Sequence, residues 1–129
     1  MKVVAIDIGL KRVGVAISLD KNIVNPLKSV IRKNRNQASS EIRNILSKWG
    51  IEKLVVGIPM HSSNSNEMKR RFEHFVKLVD FSGEIIYQDE SLSSFEAKEL
   101  MRGEIREKKD GRIDSLSAKI VLERYLEKL

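Results

Sequence analysis

A chain of 129 residues that is 41% apolar can bury a full core, so one domain over 1–129 is expected, and its 33% charged residues alternate with apolar ones as they do in folded chains. No apolar run nears the ~18 residues of a membrane span, and Asp7 cuts the opening run too early for a signal sequence, so a cytoplasmic protein without membrane association is expected; the lack of cysteine excludes disulfides, thiolate nucleophiles and Cys-based zinc. The net charge of +6 lies wholly in residues 21–53, a segment that can attract a polyanion by counterion release or simply form a solvated basic face.

Lys2–Asp7 and Val13–Ser18 are short β-branched runs joined by Gly9–Arg12, which predicts a hairpin. Leu27–Arg32 after Pro26 reads as a third strand and Lys33–Gln37 as loop. Ile42, Ile45, Leu46 and Trp49 then fall on one helical face that Gly50 ends. Leu54–Ile58 is a buried strand. Met68, Phe72, Phe75, Val76 and Val79 repeat the helical spacing, and Glu84–Gln88 is a further short strand. Ser93 and Glu96 make a capping box for a short helix over Ala97, Leu100 and Met101. The mixed-charge run Glu104–Arg112 reads as loop, and Ile113–Leu129 as a final helix.

The order βββαβαβαα predicts an α/β protein: three antiparallel strands, then parallel β-α units with right-handed crossovers, giving a mixed five-stranded sheet flanked by helices, as in RNase H-like folds.

Asp7 ends an apolar strand expected at the centre of that sheet, where a carboxylate needs a cation or several donors, unless it merely caps the turn. Asp89 and Glu90 close the last strand, at the carboxyl end where parallel sheets gather their sites; their plainer role is to face a helix dipole. Asp114 opens the last helix on the same face as Ala118 and Val121, as an inward acid or an ordinary N-cap. Three such acids can converge, and oxygen-only ligands suit Mg²⁺ or Mn²⁺ and phosphodiester cleavage. Lys108, Lys109 and Arg112 stand before Asp114, within reach of phosphates or as solvated loop. His61 lies in a polar loop after Pro59, as a plain loop residue or one that touches a phosphate or orients water, and His74 within the second helix reads as a surface or half-buried structural residue.

Asp7-Ile8-Gly9-Leu10-Lys11-Arg12-Val13-Gly14-Val15-Ala16 resembles the opening of the YqgF family, also called RuvX. Val55-Val56-Gly57-Ile58-Pro59, Asp89-Glu90-Ser91-Leu92-Ser93-Ser94, and Lys108-Lys109 with Asp114 and Ala118 follow in the family's order. The resemblance covers essentially the whole chain and implies an RNase H-like nuclease, akin to Holliday junction resolvases, that processes the 5′ end of precursor 16S ribosomal RNA. Carried over by position, Asp7, Glu90 and Asp114 are the catalytic and metal-holding acids. Ser91 stands where the family usually has Arg, and His61 where it usually has Asn; both changes bear on substrate contacts.

The leading expectation is therefore a Mg²⁺- or Mn²⁺-dependent endonuclease on structured RNA, gripping the backbone through Lys11, Arg12, Lys108, Lys109 and Arg112. Its partners are precursor 16S RNA and, by extension, the ribosomal subunit, and a monomer is favoured. The alternatives are a DNA junction resolvase, which needs a symmetric dimer, and a catalytically silent RNA- or ribosome-binding module.

Overall fold

The computed structural model describes residues 1–60, 65–89 and 115–129. Its elements in chain order are β1 (Val3–Ile8), β2 (Arg12–Ser18), β3 (Asn25–Ile31), α1 (Arg35–Trp49), β4 (Lys53–Ile58), α2 (Ser65–Val79), β5 (Glu84–Asp89) and α3 (Leu116–Glu127). The five strands form one sheet in the order β3-β2-β1-β4-β5. β1 pairs antiparallel with β2 and parallel with β4, and β4 is parallel to β5, so the expected switch from antiparallel to parallel pairing occurs at the central strand.

Alternation along β1 divides the core between two faces. Val4, Ile6 and Ile8 pack with Ala38, Ile42 and Leu46 of α1 and with Phe72, Phe75, Val76 and Val79 of α2. Val3 and Ala5 turn the other way, with Ala16 and Val55, against Ala118, Val121, Leu122 and Tyr125 of α3. Small residues at Ala5, Ala16 and Ala118 let α3 lie close to the sheet, and burying each larger side chain contributes about 1.5–3 kcal/mol.

The first helix starts earlier than the sequence suggests. The Lys33–Gln37 run, expected as loop, contains its cap: Asn34 Oδ1 accepts the Gln37 N–H at 2.7 Å, while Gln37 Oε1 accepts the N–H of Asn34 at 3.4 Å and that of Lys33 at 2.8 Å. These reciprocal bonds satisfy donors that the first turn leaves without carbonyl partners. Gly50, at φ 61°, ends the helix in the left-handed region as expected. Trp49, the last residue before that cap, is 37% exposed rather than buried, with the Lys48 ammonium 5.9 Å from its ring centre.

β3 is an edge strand, which accommodates Pro26 opposite Ala16 without a central ladder bond being lost. The β2–β3 register shifts between Val13 and Val15. The Val15 N–H instead donates to the Oγ of Ser115 at 2.9 Å, a buried bond that seats the start of α3 on β2. At its other end, Tyr125 accepts a bond from Lys53 Nζ at 3.4 Å. No helix among the described residues is long and apolar enough to cross a membrane.

Candidate functional site

Asp7 lies one residue from the end of β1, on the face that α3 covers. Its register partners are Gly14 on β2 and Gly57 on β4. The carboxylate therefore stands in a lane with no side chain on either neighbouring strand, at the end of the sheet where β1, β4 and β5 all finish. It is half-buried, and among the described residues no hydrogen bond or ion pair engages it. Such a group calls for a cation or donors supplied from outside the sheet.

The hairpin tip does not use Asp7 as its cap. Gly9 N–H donates to the Arg12 carbonyl at 2.9 Å and closes the turn through backbone alone. A Cβ at Gly9 would sit 2.6 Å from that carbonyl oxygen, so only glycine fits. Arg32, just past the end of β3, secures the tip: its N–H donates to the Lys11 carbonyl at 2.8 Å and its guanidinium to the Gly9 carbonyl at 2.9 Å, with the same guanidinium 5.5 Å from the Phe75 ring centre. Lys11 and Arg12 are exposed on this anchored tip, a few residues beyond Asp7.

At the far side of the lane, Gly57 pairs with Gln88 of β5. Gln88 is buried, and its Oε1 accepts a bond from Lys128 Nζ at 3.0 Å, which brings a cation from beyond α3 toward the Asp7 row. Sequence periodicity gave no sign of this pair. Asp89 is one residue further along β5 and so on the opposite face; its Oδ1 accepts the Met60 N–H at 3.3 Å, bracing the exit from β4. Glu90, Lys108, Lys109, Arg112, Asp114 and His61 lie outside the described residues, as do Ser91 and the helix read from Ser93. Among the described residues no three His, Asp or Glu side chains gather as a metal cluster.

The basic segment does not form one patch. Arg43 donates to the carbonyls of Val79 at 2.9 Å and Leu78 at 2.7 Å, capping the end of α2. Lys53 sits 3.6 Å from Glu84. Arg32 and Arg35, however, join Arg70 and Arg71 of α2 around a groove of about 570 Å³ that starts at Ile8 and Gly9. His74 is exposed, as expected of a surface residue, and its Nδ1 lies 3.4 Å from a guanidinium nitrogen of Arg35 in the same groove.

A family model described as RuvX, Holliday junction resolvase, matches residues 1–128. A protein of Sulfurovum sp. (strain NBC37-1) named "Putative pre-16S rRNA nuclease" is 56% identical over 126 residues, covering 98% of each chain. One of the same name from Campylobacter lari is 46% identical over 97% of each. In three dimensions the chain is similar to the fowlpox virus Holliday junction resolvase, at TM-score 0.59, 14% identity and full coverage of both chains. It is also similar to Thermus thermophilus RuvC in complex with a Holliday junction substrate, at TM-score 0.57 and 15% identity, over 99% of this chain and 94% of that one. The mixed sheet with its flanking helices is thus an RNase H-like fold, and the chain belongs to the RuvX family of Holliday junction resolvases.

Proposed function

We propose that the protein is a metal-dependent endonuclease that cuts structured RNA, with the 5′ end of precursor 16S ribosomal RNA as its substrate in the cytoplasm. The observation that carries this reading is the Asp7 carboxylate, unengaged among the described residues and flanked in register by Gly14 and Gly57. The names of relatives up to 56% identical supply the substrate.

In this reading Asp7, Glu90 and Asp114 hold the ion. Asp89 is the lesser candidate of the acidic pair, because it faces away from Asp7 and receives the Met60 N–H. The donor chemistry fits Mg²⁺ or Mn²⁺: oxygen ligands, no cysteine in the chain, and a lane beside Asp7 without competing side chains. When bound, such an ion activates water and neutralises charge developing on the phosphate. The chain's own contribution is to fix Asp7 on the central strand and to hold the scissile phosphate from the tip through Lys11 and Arg12, with Lys108, Lys109 and Arg112 as further phosphate-binding cations. The whole chain serves as one domain, and a monomer suffices.

The test incubates purified protein with precursor 16S RNA and with a four-way DNA junction, each with and without Mn²⁺. Mn²⁺-dependent cleavage of the RNA that Asp7→Asn abolishes is the expected result. Binding without cleavage would overturn the enzyme reading in favour of a silent ribosome-binding module. Junction cleavage by a dimer is the second reading, favoured by the family's description and by the likeness to a RuvC bound to its junction.

A further inference from the structure

We propose that the groove between the N-terminal parts of α1 and α2 is a docking site for a single-stranded segment of the nucleic acid, next to the point of cleavage. This rests on the reading that the chain acts on nucleic acid, but assigns it a surface on the opposite sheet face from Asp7.

The groove holds its charge in a form suited to a polynucleotide. Arg35 and Arg70 are exposed at its wall, and Arg71 is there too, held 2.9 Å from Glu67. His74 adds an imidazole beside Arg35. Guanidinium groups bind phosphates bidentately and also stack flat on bases. Between these cations the groove is apolar: Met68 is half-buried, and Leu10, 88% exposed, projects at the hairpin tip with no covering group among the described residues.

A duplex keeps the faces of its bases stacked inside and offers a surface phosphate, sugar and polar groove edges, which leaves an apolar groove unused. An unpaired strand offers both: phosphates for the arginines and a splayed base for the strip between Leu10 and Met68. At about 570 Å³ the groove has the size of a small-molecule site, enough for one or two nucleotides rather than a helix. Its position fixes the direction. Ile8 and Gly9, the two residues after Asp7, form its near end, so a strand leaving the Asp7 lane crosses the tip at Lys11 and Arg12 and enters it.

The experiment compares, without divalent metal, fluorescence anisotropy of a labelled blunt RNA hairpin and of the same hairpin carrying a short single-stranded 5′ tail, across a range of potassium chloride. Arg35→Ala/Arg70→Ala is expected to weaken the tailed hairpin roughly tenfold at low salt and to flatten its salt dependence by about 1.4, two phosphate contacts at about 0.7 each, while the blunt hairpin changes by about twofold or less. Lys48→Ala/Lys77→Ala removes the same charge from the opposite ends of the two helices and is expected to preserve the preference for the tail. Equal losses on both RNAs, no loss, or the same loss in the lysine variant would each overturn the proposal.

A readout on the unmodified protein stands beside it. A photoreactive 4-thiouridine in the tail is expected to crosslink to peptides containing Leu10 or Met68, and adducts confined elsewhere count against the groove. Both measurements are made without turnover, so they are independent of whether Asp7 supports cleavage. A protein that cuts RNA but shows no tail effect loses the groove and keeps the nuclease reading; one that prefers tails but never cuts does the reverse.

Discussion

The hydroxyl of Ser115 accepts the N–H of Val15 at 2.9 Å, joining residues 100 positions apart inside the core. That bond lies one residue along β2 from Gly14, the partner of Asp7, so it sets where α3 begins relative to the lane. Ser115→Ala leaves a buried N–H without a partner and is expected to cost about 1–3 kcal/mol, read by urea unfolding. Ser115→Thr, which keeps the acceptor, is expected to recover most of it.

The lane beside Asp7 is kept clear by Gly57. Gly57→Val puts a branched side chain on the same face as the carboxylate, in register with it. Cleavage is expected to fall by about a hundredfold, since displacement of a reacting group by about 1 Å has that effect. Nuclease assays beside a thermal melt separate this from loss of fold: activity falls by far more than the remaining folded fraction.

At the tip, Gly9→Ala forces a Cβ to within 2.6 Å of the Arg12 carbonyl oxygen. The turn must open, at a cost of about 1–3 kcal/mol. Hydrogen exchange is expected to rise first at the amides of Gly9 and Arg32, both of which bond within this tip.

Arg43 tests whether a cation in the basic segment serves the fold instead of the ligand. Arg43→Met removes the donors to the Leu78 and Val79 carbonyls and is expected to lower stability by about 1–2 kcal/mol. RNA affinity is expected to stay within about twofold, as for a residue without a phosphate contact.

Asp20 provides the pH dependence. The N–H groups of Ile23 and Asn22 bond its carboxylate and hold its pKa below the usual carboxylate value. A folded pKa below the unfolded one means a contribution that is present above the unfolded value and lost as pH falls through the folded one. The stability gap between the protein and Asp20→Ala is therefore expected to be constant at neutral pH and to close below about pH 4, in urea titrations across an acid series.

Local patterns revealed most of the described elements and only some of the site. β1, β2 and β4 are runs of β-branched residues whose burial dictates their conformation, and Asp7 was visible because a carboxylate ending such a run needs a reason. The start of α1 was hidden because Asn34 and Gln37 are polar residues in a polar stretch, and a cap made by Gln resembles loop composition. The Gly14–Asp7–Gly57 lane depends on the register of a parallel pair, which residue spacing does not encode. The same holds for the groove. Arg32 follows β3, Arg35 opens α1, and Arg70 and Arg71 belong to α2, so the four meet only when α1 packs on α2, and counting charge along 21–53 could not find the groove. Glu90 and Asp114, read from a strand end and a helix start and assigned their role by the family resemblance, lie outside the described residues.

The placement of α3 makes the Asp7 face a late product of biosynthesis. Val3, Ala5, Ala16 and Val55 come from strands made early, yet the helix that covers them spans Leu116–Glu127. The opposite face can close on α1 and α2 while the ribosome is still elongating the chain. Until α3 emerges, the described residues leave much of that apolar sheet face uncovered beside the lane, a surface of the kind chaperones bind. The face that carries Asp7 is therefore completed only once Leu116–Glu127 have been made.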